Sequence, residues 1–93
     1  MGTVKLYATL RDRAGGRRDI EVPWSAGEPV IIMIRRLIER APGLEGQVLD
    51  QDGTLLPFVS VFLNGRDIRY LGGLNAPLNA DQEVSIFPAV AGG

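Results

Sequence analysis

One segment alone carries sustained helical periodicity, and it lies between two prolines. From Pro29 to Pro42, the residues Val30, Met33, Ile34, Leu37, Ile38 and Ala41 recur at helical spacing and form one apolar stripe. Arg35, Arg36, Glu39 and Arg40 take most of the opposite face, as solvated charges do. Pro29 suits a first helical turn, where its missing N–H is no loss, Glu28 suits the helix dipole, and Pro42-Gly43 stops the helix. Ile32 falls outside the stripe and Ile31 on its border: either a flanking loop covers them or they form a second contact surface. A chain with a single such helix must build the rest of its core from strands.

The strands are read from alternation. Thr3 to Leu10 alternates, with Val4, Leu6, Ala8 and Leu10 on one face and Thr3, Lys5, Tyr7 and Thr9 on the other. Arg11 to Arg17 is charged and contains Gly15-Gly16, and Ile20 and Val22 then resume a period of two, so a hairpin with a basic loop is predicted. Leu44 to Asp52 reads as irregular or a single turn, with a turn at Asp52-Gly53. Phe58 to Leu63 is a strand that runs into Asn64-Gly65, a strong hairpin signal, with a return strand over Arg66 to Arg69. Gly and Pro break Tyr70 to Leu78, and Glu83 to Pro88 is the last strand. This order predicts an α+β, β-grasp (ubiquitin-like) fold: a mixed sheet of four to five strands, first and last strands parallel, with one main helix packed on one face. Residues 1–88 form the domain and 89–93 an extended tail.

Composition removes most chemistry. The 93 residues suffice for one domain with a thin core. Ten basic against eleven acidic residues leave a net charge of −1, without the footprint of a nucleic-acid binder. There is no Cys and no His, so thiolate nucleophiles, thiolate metal sites and the usual neutral-pH proton shuttle are missing. No metal or bound cofactor is expected. Catalysis would rest on carboxylates, Lys5, tyrosines or hydroxyls. No signal peptide is visible, and the longest apolar run, Val30 to Ile34, falls far short of the roughly 20 residues of a membrane span. A cytoplasmic protein without membrane or nucleic-acid partners is expected.

If Val4, Leu6, Ala8, Val84 and Ile86 face the helix, Tyr7 and Phe87 point away from it. In the third strand two registers are open: Phe58, Ser60 and Phe62 outward, or Val59, Val61 and Leu63 outward. The first gathers up to four aromatics on a face that nothing in this chain covers, which signals a partner. The sequence closes on Ala89-Val90-Ala91-Gly92-Gly93, uncharged and directly after a strand. Glycine without a Cβ passes a narrow channel, and a terminal carboxylate is unhindered to attack phosphorus. That carboxylate is inert until ATP turns it into an acyl-adenylate, which a chain of this composition does not do alone.

The stretches Phe62-Leu63-Asn64-Gly65-Arg66-Asp67-Ile68-Arg69 through Leu74, Pro77-Leu78, and Glu83 to Gly93 resemble the MoaD/ThiS family of sulfur-carrier proteins, including the CysO branch. Val4 to Arg11 and Ala41 to Leu44 extend the resemblance over nearly the whole chain, although Ile31-Ile32-Met33 stand where relatives are more polar. The resemblance implies a β-grasp protein, not itself an enzyme. Its Gly93, preceded by Gly92, is adenylated with ATP by a ubiquitin-activating-type enzyme and converted to a thiocarboxylate with a sulfurtransferase. A sulfur-accepting synthase then takes the sulfur for molybdopterin, cysteine, thiamin or another thio-metabolite. Tyr7, Phe62 and Phe87 fall on the family's partner face, continued by Pro88, Ala89, Val90 and Ala91. Arg66 and Arg69 either steer the tail toward a nucleotide or acidic patch or are solvated turn charges. Two other functions fit the same chain: a protein modifier joined through Gly93 to a lysine, and a non-covalent β-grasp interaction module.

Overall fold

A computed structural model describes residues 2–88. Strand β1 (Gly2–Leu6) leads into a short helix α1 (Ala8–Arg13), strand β2 (Asp19–Val22) and the main helix α2 (Val30–Arg40). A 3-10 turn (Pro42–Leu44) follows, then β3 (Val59–Leu63), β4 (Arg66–Asp67), two further 3-10 turns (Ile68–Tyr70 and Gly73–Asn75) and β5 (Val84–Pro88). The strands form one sheet in the order β2-β1-β5-β3-β4. β5 lies at its centre, parallel to β1 and antiparallel to β3. The predicted plan therefore holds.

Alternation places Val4, Leu6, Val59, Val61, Leu63, Val84 and Ile86 on the covered face, all buried. Val30, Met33, Ile34 and Leu37 of α2 join them in a single core, and no polar side chain is buried among the described residues. Ile38, read from the sequence as part of the buried stripe, is only half-buried at its margin. Ile31 and Ile32 are both half-buried, and Ile31 packs against the core. The start of α2 has no side-chain cap. Its first N–H, that of Val30, instead donates to Ala76 O at 3.0 Å, while Leu78 N–H donates to Glu28 O at 2.8 Å. The Gly/Pro-broken segment thus satisfies groups that a helix start leaves without partners.

Two boundaries differ from expectation. β1 stops at Leu6 rather than Leu10. Tyr7 stays extended, Ala8 adopts a φ of +53°, and the chain turns into α1. Leu10 is buried as predicted, but from a helix: Leu10 and Ala14, four apart, are both buried, whereas Ala8 is exposed. Over four apolar positions the two periods are hard to separate, and the charged turns of Arg11 to Arg13 belong to a solvated helical face. The β1–β2 connection is therefore a helix and a turn, not a simple basic loop. Arg17 secures it, donating to Ala14 O and to Arg40 O, each at 3.0 Å.

β4 covers only Arg66–Asp67, not Arg66 to Arg69. Asp67 Oδ1 accepts from the Arg69 N–H at 2.9 Å and caps a 3-10 turn that buries Ile68. A short aspartate side chain competes here with continuation of the strand.

Candidate functional site

The register of β3 decides which side chains reach the uncovered face. Val59, Val61 and Leu63 are buried, so Ser60 and Phe62 project outward, and Phe58 at the strand's entry is 52% exposed. Ser60 lies opposite Phe87 and Phe62 opposite Ser85. On the other flank of β5, Lys5 lies opposite Ser85. Lys5 is the only lysine of the chain and is half-buried on the same face.

Three aromatics meet there. Tyr7 and Phe87 stack with ring centroids 4.2 Å apart and planes within 11°. Phe62 meets Phe87 edge-on at 5.4 Å and 80°. Each such pair contributes about 0.5–1.5 kcal/mol beyond its buried area. Phe87 is the common member and is followed only by Pro88 among the described residues. A shallow hollow lined by Phe62, Gly65, Glu83, Ser85 and Phe87 opens beside the cluster. All three rings remain half-buried, so the patch is apolar, preassembled and incompletely covered. Such a surface favours another protein over a small polar substrate.

The remaining predicted positions separate. Arg66 sits exposed on β4, opposite Leu63. Arg69 is drawn against the edge of β3, where its guanidinium donates to Val59 O at 2.8 Å, Ser60 Oγ at 3.2 Å and Asp67 Oδ2 at 3.1 Å. That edge contact was not legible from residue types alone. Pro88 ends β5 opposite Val59. Ala89, Val90, Ala91, Gly92 and Gly93, and with them the predicted tail, lie outside the described residues.

No group of His, Cys, Asp or Glu that could hold a metal ion occurs among the described residues. No helix there is long and apolar enough to cross a membrane. The titration of one pair is displaced. Arg36 donates to both carboxylate oxygens of Glu28 at 2.8 Å, and the Ser25 N–H also donates to that carboxylate at 2.6 Å. Principally through Arg36, then Ser25, these bonds hold Glu28 below the ordinary glutamate value of 4.5. Glu28 lies before α2 and Arg36 in its second turn, so the pair joins the β2–α2 loop to the helix.

Comparison with known proteins agrees with this geometry. The chain matches the ThiS family over residues 4–93. It is 32% identical over 92 residues to small archaeal modifier protein 3 of Haloferax volcanii, covering 97% of this chain and 96% of that one. It is 31% identical over 93 residues to the sulfur carrier protein CysO of Mycobacterium tuberculosis, covering 98% and 97%. A shorter match, 51% over 47 residues, links it to an Archaeoglobus fulgidus protein provisionally named as a sulfur carrier, and spans half of this chain and 53% of that relative. Among solved structures, the Amycolatopsis orientalis BexX/CysO complex contains a chain that superposes with a TM-score of 0.85 at 30% identity, with both chains fully covered. The sheet order, the single main helix and the match along nearly the whole length lead to one conclusion: the chain belongs to the ThiS family of ubiquitin-like β-grasp sulfur carriers.

Proposed function

We propose that this protein carries sulfur on its last residue. The Gly93 carboxylate attacks the α-phosphorus of ATP in the active site of a ubiquitin-activating-type enzyme, and pyrophosphate leaves. A sulfide equivalent from a sulfurtransferase then attacks the acyl carbon of the adenylate, AMP leaves, and a thiocarboxylate remains. A synthase docked on the Tyr7–Phe87–Phe62 face takes that sulfur into a metabolite such as molybdopterin, cysteine or the thiazole of thiamin. ATP belongs to the activating enzyme, and this chain holds no cofactor of its own. A cytoplasmic location, where an activating enzyme finds ATP, is consistent with this reading.

The observation that carries this reading is the position of the aromatic cluster. Its shared ring, Phe87, stands one residue before the end of β5, so a partner that grips the cluster is held beside residues 89–93. A chain lacking Cys and His supplies neither the nucleophile nor the proton shuttle for activation, which suits a protein acted upon. The likeness to a chain of the BexX/CysO complex supports a reading in which the protein works in the grip of a partner.

Mass spectrometry of the protein coexpressed with its activating enzyme and sulfurtransferase tests the proposal. Replacement of one terminal oxygen by sulfur is the expected result, and an unaltered terminus refutes it, leaving a non-covalent module. The likeness to small archaeal modifier protein 3 favours a second reading in which a lysine amine, rather than sulfide, displaces AMP. Covalent adducts of the protein with other chains would then appear in the same experiment.

A further inference from the structure

β4 pairs only with Phe62 and Leu63, which leaves the outer edge of β3 without a neighbouring strand at Val59 and Ser60. Backbone groups along an antiparallel ladder point alternately to its two sides. Asn64 N–H donates to Glu83 O at 2.8 Å, so Ser60 and Phe62, in step with Asn64, turn their backbone groups toward β5. Val59 and Val61 turn theirs toward the open edge, and the guanidinium of Arg69 occupies it.

Nη2 of Arg69 donates to Val59 O at 2.8 Å and to Pro57 O at 3.3 Å. Nη1 donates to Ser60 Oγ at 3.2 Å and to Asp67 Oδ2 at 3.1 Å. The Asp67 carboxylate is itself oriented by the Arg69 backbone N–H. All four N–H groups of the two terminal nitrogens are thus committed, three of them to the short segment from Pro57 to Ser60. A guanidinium engaged in this way has little left for a nucleotide or an acidic patch. The residues it holds are informative: Ser60 lies opposite Phe87 and Val59 opposite Pro88, the last two positions of β5 before residues 89–93.

We propose that Arg69 is a positioning residue for the carboxyl terminus, fixing the β3 edge and through it the end of β5 from which residues 89–93 lead to the activating enzyme. This rests on the carrier reading of Gly93. Arg69 acts at a distance from the reacting atoms, and a misplacement of about 1 Å in such a path costs up to about a hundredfold in rate. The role needs the planar fork of arginine. Lysine keeps the charge but carries its three donors on a single nitrogen and does not span the same acceptors.

The test compares R69K and R69A in the full chain, with Ser60→Ala as a milder variant that removes one acceptor and leaves Arg69 in place. Amide hydrogen exchange is followed at Ser60 and Phe87, and ATP–pyrophosphate exchange is measured with the cognate activating enzyme. The expected result is faster amide exchange at both positions and a kcat lowered about tenfold or more in R69K and R69A alike, with KM for the carrier nearly unchanged. Ser60→Ala shows the same pattern at smaller amplitude, and so reports on the clamp even where an Arg69 variant unfolds. Wild-type kcat in R69K with loss only in R69A would mean charge steering and overturn the proposal. A raised KM at constant kcat, or unaltered amide exchange, overturns it equally. A wild-type chain that supports no pyrophosphate exchange refutes the carrier reading itself, a failure visible without any variant.

Discussion

Gly43 shows how tightly single positions are constrained. A Cβ built there overlaps the carbonyl oxygen of Arg13, so the turn after α2 and the end of α1 approach too closely for any side chain. Gly43→Ala is expected to cost about 1–3 kcal/mol, a fall in Tm on the order of 5–20 °C for a domain of this size, read by thermal melting. The Pro42-Gly43 pair is legible in the sequence as a helix stop, but the close approach is not, because it depends on α1, which the alternation of Val4, Leu6, Ala8 and Leu10 conceals. Phe87→Ala separates folding from recognition. Removing the ring shared by two aromatic pairs costs about 1–3 kcal/mol of stability. It weakens binding to the sulfur-accepting partner by about 2 kcal/mol, roughly thirtyfold, as titration calorimetry would show. An affinity unchanged by the substitution would remove the aromatic face from the binding surface.

Elements differ in how openly they are written. α2 is plain because eleven residues of consistent 3.6-residue spacing outvote local ambiguity. β3 is apolar at nearly every position, so its sequence leaves two registers open, and only pairing with β5 turns Phe62 outward. Asp67 ends β4 early by offering its carboxylate to the Arg69 N–H, a choice invisible to hydrophobic pattern. The junction of the β2–α2 loop with α2 carries a pH dependence. Glu28 titrates below 4.5 in the folded protein, so its contribution to stability is fully present above the ordinary glutamate range and is lost as pH falls through the lowered value. The Tm difference between the wild type and Glu28→Gln should be constant from pH 7 to about 5 and shrink progressively toward pH 3. A difference that persists at low pH would assign the effect to packing rather than charge.

At the scale of the whole molecule, the carrier proposal predicts that domain and reactive group are separable: deletion of Gly93 should leave the thermal melt within about 1 °C of wild type, the size of effect expected of a change away from the core. The same deletion should abolish thiocarboxylate formation, as seen by mass spectrometry. Loss of the folded state would contradict this division.

The central place of β5 has a consequence for synthesis. The strand that joins the β1–β2 pair to the β3–β4 pair is the last of the five to leave the ribosome, and its pairing with β1 spans about eighty residues, a slow, late contact. A chain released before residue 84 therefore lacks the strand through which the β1–β2 and β3–β4 pairs are joined. Under the proposed carrier function, such a truncated chain would offer an activating enzyme neither the assembled sheet nor the terminal glycine.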